Sequence, residues 1–147
     1  MKLIKHILEA KGNDVWIITP DEAVYDALQL MADKNVGALV VAKDGQIIGV
    51  ISERDYARKV ILKGKSSRET LVREIMTSPA ICVTPDKTVE QCLALMTDKH
   101  IRHLPVVDDG KLVGVVSVGD LVKSIIDSQK ELIRQLENFI QEHSSLT

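Results

Sequence analysis

A mixed α/β fold, of the α+β kind, made from two copies of one strand-helix-strand-strand-helix unit is predicted by three observations. The chain matches itself at a shift of 65 residues without a gap, with 17 identities in the 42 positions of Val15–Tyr56 against Ala80–Leu121. Each copy carries two short apolar runs joined by Asp-Gly, the strongest hairpin signal a single sequence offers. Between a β-rich lead and that hairpin, each copy has a segment whose apolar residues recur at three- and four-residue intervals, the period of a helix with one buried face. The period is too long for the usual solenoid repeats and two copies are too few for an array, so the copies are expected to pack about a pseudo-two-fold axis. Such an axis creates paired clefts.

Taken in order, Leu3–Ala10 reads as a small N-terminal helix ended by Gly12. The β-rich leads are Val15–Ile18 and Ala80–Val83, each stopped by Thr-Pro-Asp, whose Thr or Asp can cap the following helix. Ala23, Ala27, Leu30 and Met31 form the buried face of the first such helix, and Val89, Cys92 or Leu93, and Leu95-Met96 that of the second. The hairpins pair Ala38–Ala42 with Ile47–Ile51, and Leu104–Val107 with Leu112–Val116. Strands without polar alternation are expected to be covered on both faces. A helix over Glu53–Lys63 closes the first copy, and one from Val118 onward closes the second. The polar stretch Lys63–Arg73 joins the copies, with a short helical turn at Val72–Met76. These readings divide the chain into a lead-in helix (1–14), a first repeat (15–63), a connection (64–79), a second repeat (80–126) and a helical extension (127–147).

The extension has a pattern of its own. Val122, Ile125 or Ile126, Gln129, Leu132 or Ile133, Leu136, and Phe139 or Ile140 fall near heptad spacing. An apolar stripe beyond the core needs a cover, either the N-terminal helix or a second chain, and the reading favours a homodimer.

Bulk properties narrow the function classes. The 147 residues suffice for one ordinary domain that buries about two thirds of its unfolded surface. Aromatic residues make up only 3%, so stacking platforms for bases are scarce and the core is aliphatic. A net charge of −2 and a pI near 6.1 give no long-range attraction to nucleic acid or to an anionic membrane. No apolar run approaches the roughly 20 residues of a membrane span, and MKLIKHILEAKG has no signal-peptide core, so a cytoplasmic protein is expected. Cys82 and Cys92 match no CxxC or zinc spacing; they align with the apolar positions Ile17 and Ala27 and are expected in the core. His100 and His103 lack a carboxylate or Cys partner at metal-site spacing, so no metal is expected. Without a G-x-S-x-G elbow, Walker loop or nucleophile-base arrangement, no catalytic residues are assigned.

One duplicated motif carries chemistry. Each second hairpin strand ends in Gly-Val-(Ile/Val)-Ser-x-x-Asp, at Gly49–Asp55 and Gly114–Asp120. Ser followed three residues later by an acid at a helix start is a capping box. The same arrangement turns N–H groups and a hydroxyl outward, which suits phosphate, while a first-turn carboxylate can accept from both hydroxyls of a ribose. The structural and ligand-binding readings are compatible.

The segments NVGALVV, IRHLPVV, GVISERD and GVVSVGD closely resemble the cystathionine β-synthase (CBS) domain, and the two copies together look like a CBS pair, or Bateman module. The resemblance spans about residues 15–125. The whole chain is similar to stand-alone CBS-pair proteins that carry no enzyme domain. The resemblance implies a regulatory module, requiring no cofactor, that binds adenosine-containing ligands such as AMP, ADP, ATP, NAD or S-adenosylmethionine in two clefts between the copies. Carried over by position, one cleft uses Asp120 for ribose, Ser117 beside ribose or phosphate, Thr19 from the opposite copy, and Val36 and Gly37 along the adenine. The other uses Asp55, Ser52, Thr84, Ile101 and Arg102 in the same roles.

The copies differ where charge matters. Gly37-Ala38 in the first stands against Arg102-His103 in the second, and Glu53-Arg54 against Val118-Gly119. Gly119 leaves room for phosphate at the backbone, whereas Arg54 offers a bidentate fork. Arg102, His103 and Arg54 are the phosphate-neutralising candidates, with Arg58 read as a solvated side chain. The expected outcome is two unequal clefts in a regulatory module, with an unidentified regulated protein as a candidate partner. The alternative is a dimerisation or docking scaffold whose clefts are degenerate.

Overall fold

Residues 2–144 are described in a computed structural model. Helix α1 (Ile4–Lys11) precedes the first repeat, which runs β1 (Ile17–Ile18), α2 (Val24–Lys34), β2 (Ala38–Lys43), β3 (Gln46–Ser52) and α3 (Glu53–Tyr56). A short α4 (Val72–Ile75) precedes the second, which runs α5 (Val89–Lys99), β4 (His103–Asp108), β5 (Lys111–Ser117) and α6 (Val118–Ser144).

The hairpins fold as their turns dictate. Asp44 and Gly45 have φ of 53° and 78°, and Asp109 and Gly110 of 51° and 76°, so both central residues of each turn are left-handed, as in a type I′ hairpin. Both hairpins slip register at equivalent places, between Val41 and Ala42 and between Val106 and Val107. In the first repeat β1 adds parallel to β2, giving the order β1-β2-β3.

The lead of the second repeat, expected as a strand over Ala80–Val83, is reduced to one parallel bridge between Val83 and Val106. The shift of 65 residues explains the loss. Val40 donates its N–H to the Trp16 carbonyl at 3.2 Å, whereas the residue equivalent to Val40 is Pro105, which has no N–H to offer Ile81.

Three further expectations need correction. The Thr-Pro-Asp turns do not cap the helices after them. Helix α2 begins after Ala23 with no side-chain cap, and α5 begins after Thr88, which forms a capping box with Gln91. Asp21 instead pairs with Lys43 at 2.8 Å and Arg73 at 2.5 Å. The helix after β3 is α-helical only over Glu53–Tyr56 and continues as a π-helix over Ala57–Ile61. Cys92 is buried as expected, but Cys82 is exposed, like its aligned partner Ile17 on the edge strand β1, which is 50% exposed.

Each repeat has its own core and borrows the segment that precedes the other. Ile4 and Ile7 of α1 join Val89, Met96, Leu104 and Leu121 of the second repeat. Val72 and Ile75 of α4 join Val24, Met31, Leu39 and Ile51 of the first. Backbone bridges repeat the exchange: Leu3 pairs with Thr88, and Ala23 with Leu71. The two lead segments thus strap the copies together around the clefts.

Helix α6 docks through Leu121, Ser124 and the flank of Ile125 and then leaves the core. Val122, Ile126, Leu132, Ile133, Leu136, Phe139 and Ile140 are all exposed. Helix α1 packs near the start of α6 and leaves this stripe bare. Positions 145–147 of the expected extension lie outside the described residues.

Candidate functional site

One candidate cleft lies where the end of β3 and the start of α3 face the segment entering β4. It has a volume of about 420 Å³. Ser52, Arg54, Asp55 and Arg58 line it from the first repeat, and Ile101 and Arg102 from the second. A smaller cleft, about 260 Å³, lies on the other side of the pseudo-two-fold. There Ser117 and Asp120 of the second repeat face Val36 and Gly37 of the first. His103 and Gly37 line both clefts.

Local geometry explains why these residues meet. Helices α2 and α5 end at Asn35 and His100, both left-handed with φ of 54° and 56°. Each reverses the chain into a β strand and sets Val36 or Ile101 at the mouth of a cleft. The strand-to-helix corner is held by the capping box. Ser52 Oγ accepts from the Asp55 N–H at 3.2 Å, while Asp55 Oδ2 accepts from the Ser52 N–H and hydroxyl, both at 3.0 Å. Ser117 and Asp120 repeat the two backbone bonds at 3.1 and 2.8 Å. Both acids are therefore fixed before any ligand arrives, which lowers the cost of binding.

Electrostatically the clefts are opposites. Arg54, Arg58, Lys59 and Arg102 place four fixed cations around the larger one against Glu53 and Asp55. The smaller one has Lys11 against Asp14 and Asp120. Lys59 lies 3.3 Å from Asp55 Oδ1, one turn along the helix, and donates to the Ile75 carbonyl at 2.9 Å. Lys11 donates to Asp120 Oδ2 at 2.7 Å and to the Val115 carbonyl at 2.9 Å. Burial raises the Asp120 carboxyl, but the bonds from Lys11 and Ser117 outweigh it and hold the group below its ordinary value. Burial holds the His103 imidazole below its usual range, with Asp120 pulling the other way.

A family model described as the CBS domain matches residues 7–62 and 72–127, most of the chain in two copies. The chain belongs to the CBS domain family. It is 42% identical over 147 residues to the mitochondrial CBS domain-containing protein CBSX3 of Arabidopsis thaliana, covering 94% of this chain and 71% of that protein. A solved CBS-domain protein from Burkholderia ambifaria superposes with a TM-score of 0.83 at 48% identity, over 87% of this chain and 96% of its own. The CBS domain pair of protein MJ0100, solved with 5′-methylthioadenosine and S-adenosyl-L-methionine, superposes at 0.77 with 25% identity, over 87% of this chain and 98% of its own. Among the described residues, no helix is long and apolar enough to cross a membrane.

Within the CBS pair, most of the expected residues gather at the two clefts, and three do not. Thr19 and Thr84 are exposed and line neither cleft. The Thr84 hydroxyl instead bonds the Asp86 carboxylate. Gly119 also lines neither, and a Cβ there would meet only Ser117 Oγ at 3.6 Å. Arg58, read as a solvated side chain, is exposed yet lines the larger cleft. Sequence reasoning missed Lys59, Thr77 and Ile81 in the larger cleft, and Lys11, Asp14 and Trp16 in the smaller. Lys59 was open to discovery from its four-residue spacing to Asp55. The others arrive from the lead segments, and no local pattern marks them.

Proposed function

We propose that this CBS pair is a non-catalytic regulatory module that binds an adenine nucleotide, such as AMP, ADP or ATP, in the Asp55 cleft. The observation that carries this reading is the juxtaposition of a pre-fixed carboxylate with guanidinium groups from both repeats around one cavity. Asp55 would accept from the ribose hydroxyls. Arg54 and Arg58 from one repeat and Arg102 from the other would take the phosphate. Ile81 and Ile101 supply apolar surface for the base. The adenosine compounds bound by the MJ0100 pair support the ligand class. NAD and S-adenosylmethionine remain in that class, but the excess of cations favours a phosphate-bearing ligand over a sulfonium.

Regulation follows from where the cations sit. A phosphate that gathers Arg102 toward Arg54 and Arg58 binds best when the repeats are close, so it shifts the population toward that arrangement. A regulated protein partner or a second copy would sense the change. The test is a thermal-shift panel of AMP, ATP, NAD and S-adenosylmethionine. AMP at 100 times its dissociation constant should stabilise the fold by about 2.7 kcal/mol. No shift with any compound would overturn the nucleotide reading and favour the docking scaffold.

The second copy itself belongs to the proposal. The exposed stripe from Val122 to Ile140 has the spacing of a helix seam, and a parallel or antiparallel pairing of two α6 helices would cover it. Truncation after Asp127 is expected to convert a dimer to a monomer in a mass measurement in solution. A monomer before and after truncation would remove this role. A cytoplasmic location is retained as part of the same proposal.

A further inference from the structure

The Asp55 and Asp120 corners are built alike, yet their surroundings differ in one residue supplied from far along the chain. In the first repeat the Val50 carbonyl accepts from the Thr77 backbone N–H at 2.9 Å. In the second, the equivalent Val115 carbonyl accepts from the side chain of Lys11, the last residue of α1. The same ammonium reaches Asp120 Oδ2, which also takes the Ser117 N–H, so this oxygen already holds two short bonds of 2.7 and 2.8 Å. Asp55 also has a lysine nearby, but Lys59 stands at 3.3 Å and makes its shorter contact to the Ile75 carbonyl.

We infer that Lys11 is a built-in occupant of the Asp120 cleft, holding the carboxylate that a ribose would otherwise engage. The inference rests on the reading of these clefts as nucleoside sites. Asp55 Oδ2 also takes two bonds, but both come from its own Ser52, whose hydroxyl can turn away, whereas the Lys11 ammonium stands in the cleft itself and must leave before a ribose hydroxyl can reach Asp120 Oδ2. Lys11 can leave without undocking α1. The helix is anchored through Ile4 and Ile7 at its start, whereas Lys11 is partly exposed and is followed by Gly12 at a φ of 94°. The ligand admitted on its departure is a nucleoside without a phosphate, since Asp14 and Asp120 would then face it with no fixed cation in the lining.

Adenosine is the direct probe, because it carries the ribose diol and no phosphate. The chain has a single tryptophan, and Trp16 lines this cleft and not the larger one. Calorimetry of adenosine on the full chain is expected to give one site in the wild type and two in Lys11→Met. A change in Trp16 fluorescence locates the second. Lys11→Arg, which keeps the cation, should behave as the wild type. An unchanged stoichiometry in Lys11→Met overturns the inference, as does weaker binding, which would make Lys11 a ligand contact. AMP titrated into the same proteins separates the two ideas. Loss of AMP binding in the wild type refutes the nucleotide reading of the Asp55 cleft, whatever happens at Trp16.

Discussion

Asp55→Ala is expected to weaken AMP binding by tenfold or more. Hydrogen bonds to a charged group are worth about 1.5–3 kcal/mol, and every 1.4 kcal/mol is a factor of ten in affinity. The carboxylate is held ready by Ser52 and is only 14% exposed, so little of that value is lost to screening or to side-chain ordering. The variant also loses half of a capping box, a loss of about 1 kcal/mol in stability that a melt without ligand measures separately. Calorimetry on the folded variant then isolates the contact. An affinity equal to that of the wild type would mean that Asp55 caps the helix and does nothing more.

The second large effect is on stability. Gly49→Ala is expected to lower the melting temperature by about 4–8 °C, from a loss of about 2 kcal/mol. A Gly→Ala change inside a strand would ordinarily help, because glycine has the greater chain entropy to lose on folding. Here the new Cβ would lie 2.5 Å from the Thr77 carbonyl oxygen, a backbone atom that accepts the Val50 N–H at 3.0 Å. Thr77 also lines the larger cleft, so the variant should bind AMP less well too. Gly114→Ala is the natural comparison. Its Cβ would meet the Leu8 side chain at 2.6 Å, and a terminal methyl can swing aside where a hydrogen-bonded carbonyl cannot. A melting temperature for Gly49→Ala as high as that of Gly114→Ala would show that the Thr77 connection is softer than its bonding implies.

How much of this was legible in the sequence depends on the range of the interaction. Duplication and the Asp-Gly turns led directly to the two hairpins, because turn chemistry acts over four residues. The missing strand at Ala80–Val83 was also in principle readable. Its cause is one proline, visible when Val40 is set against Pro105. The helix starts were misread because Thr-Pro-Asp and the capping residue lie on either side of the same turn, and only the bonds of Thr88 distinguish them. The Ser-x-x-Asp corners were legible as chemistry, but their facing across the axis came from family resemblance and not from spacing. Lys11 was not legible at all: it reaches Asp120 across 109 residues, through packing of α1 onto the opposite repeat.

The unequal clefts also bear on the duplication itself. The shift of 65 residues aligns Arg54 with Gly119 and Gly37 with Arg102, and these departures move the cations to one side of the axis. Backbone symmetry builds two matching Ser-x-x-Asp corners. Side-chain asymmetry gathers the cations around one and gives the other an internal lysine.

The most direct test of the nucleotide reading is a calorimetric comparison of AMP with 2′-deoxy-AMP on the wild-type chain. The two ligands share base and phosphate and differ by one hydroxyl, the group assigned to Asp55. AMP is expected to bind about tenfold tighter, since the deoxy ligand leaves a charged acceptor short of a partner. Equal affinities would contradict the ribose assignment.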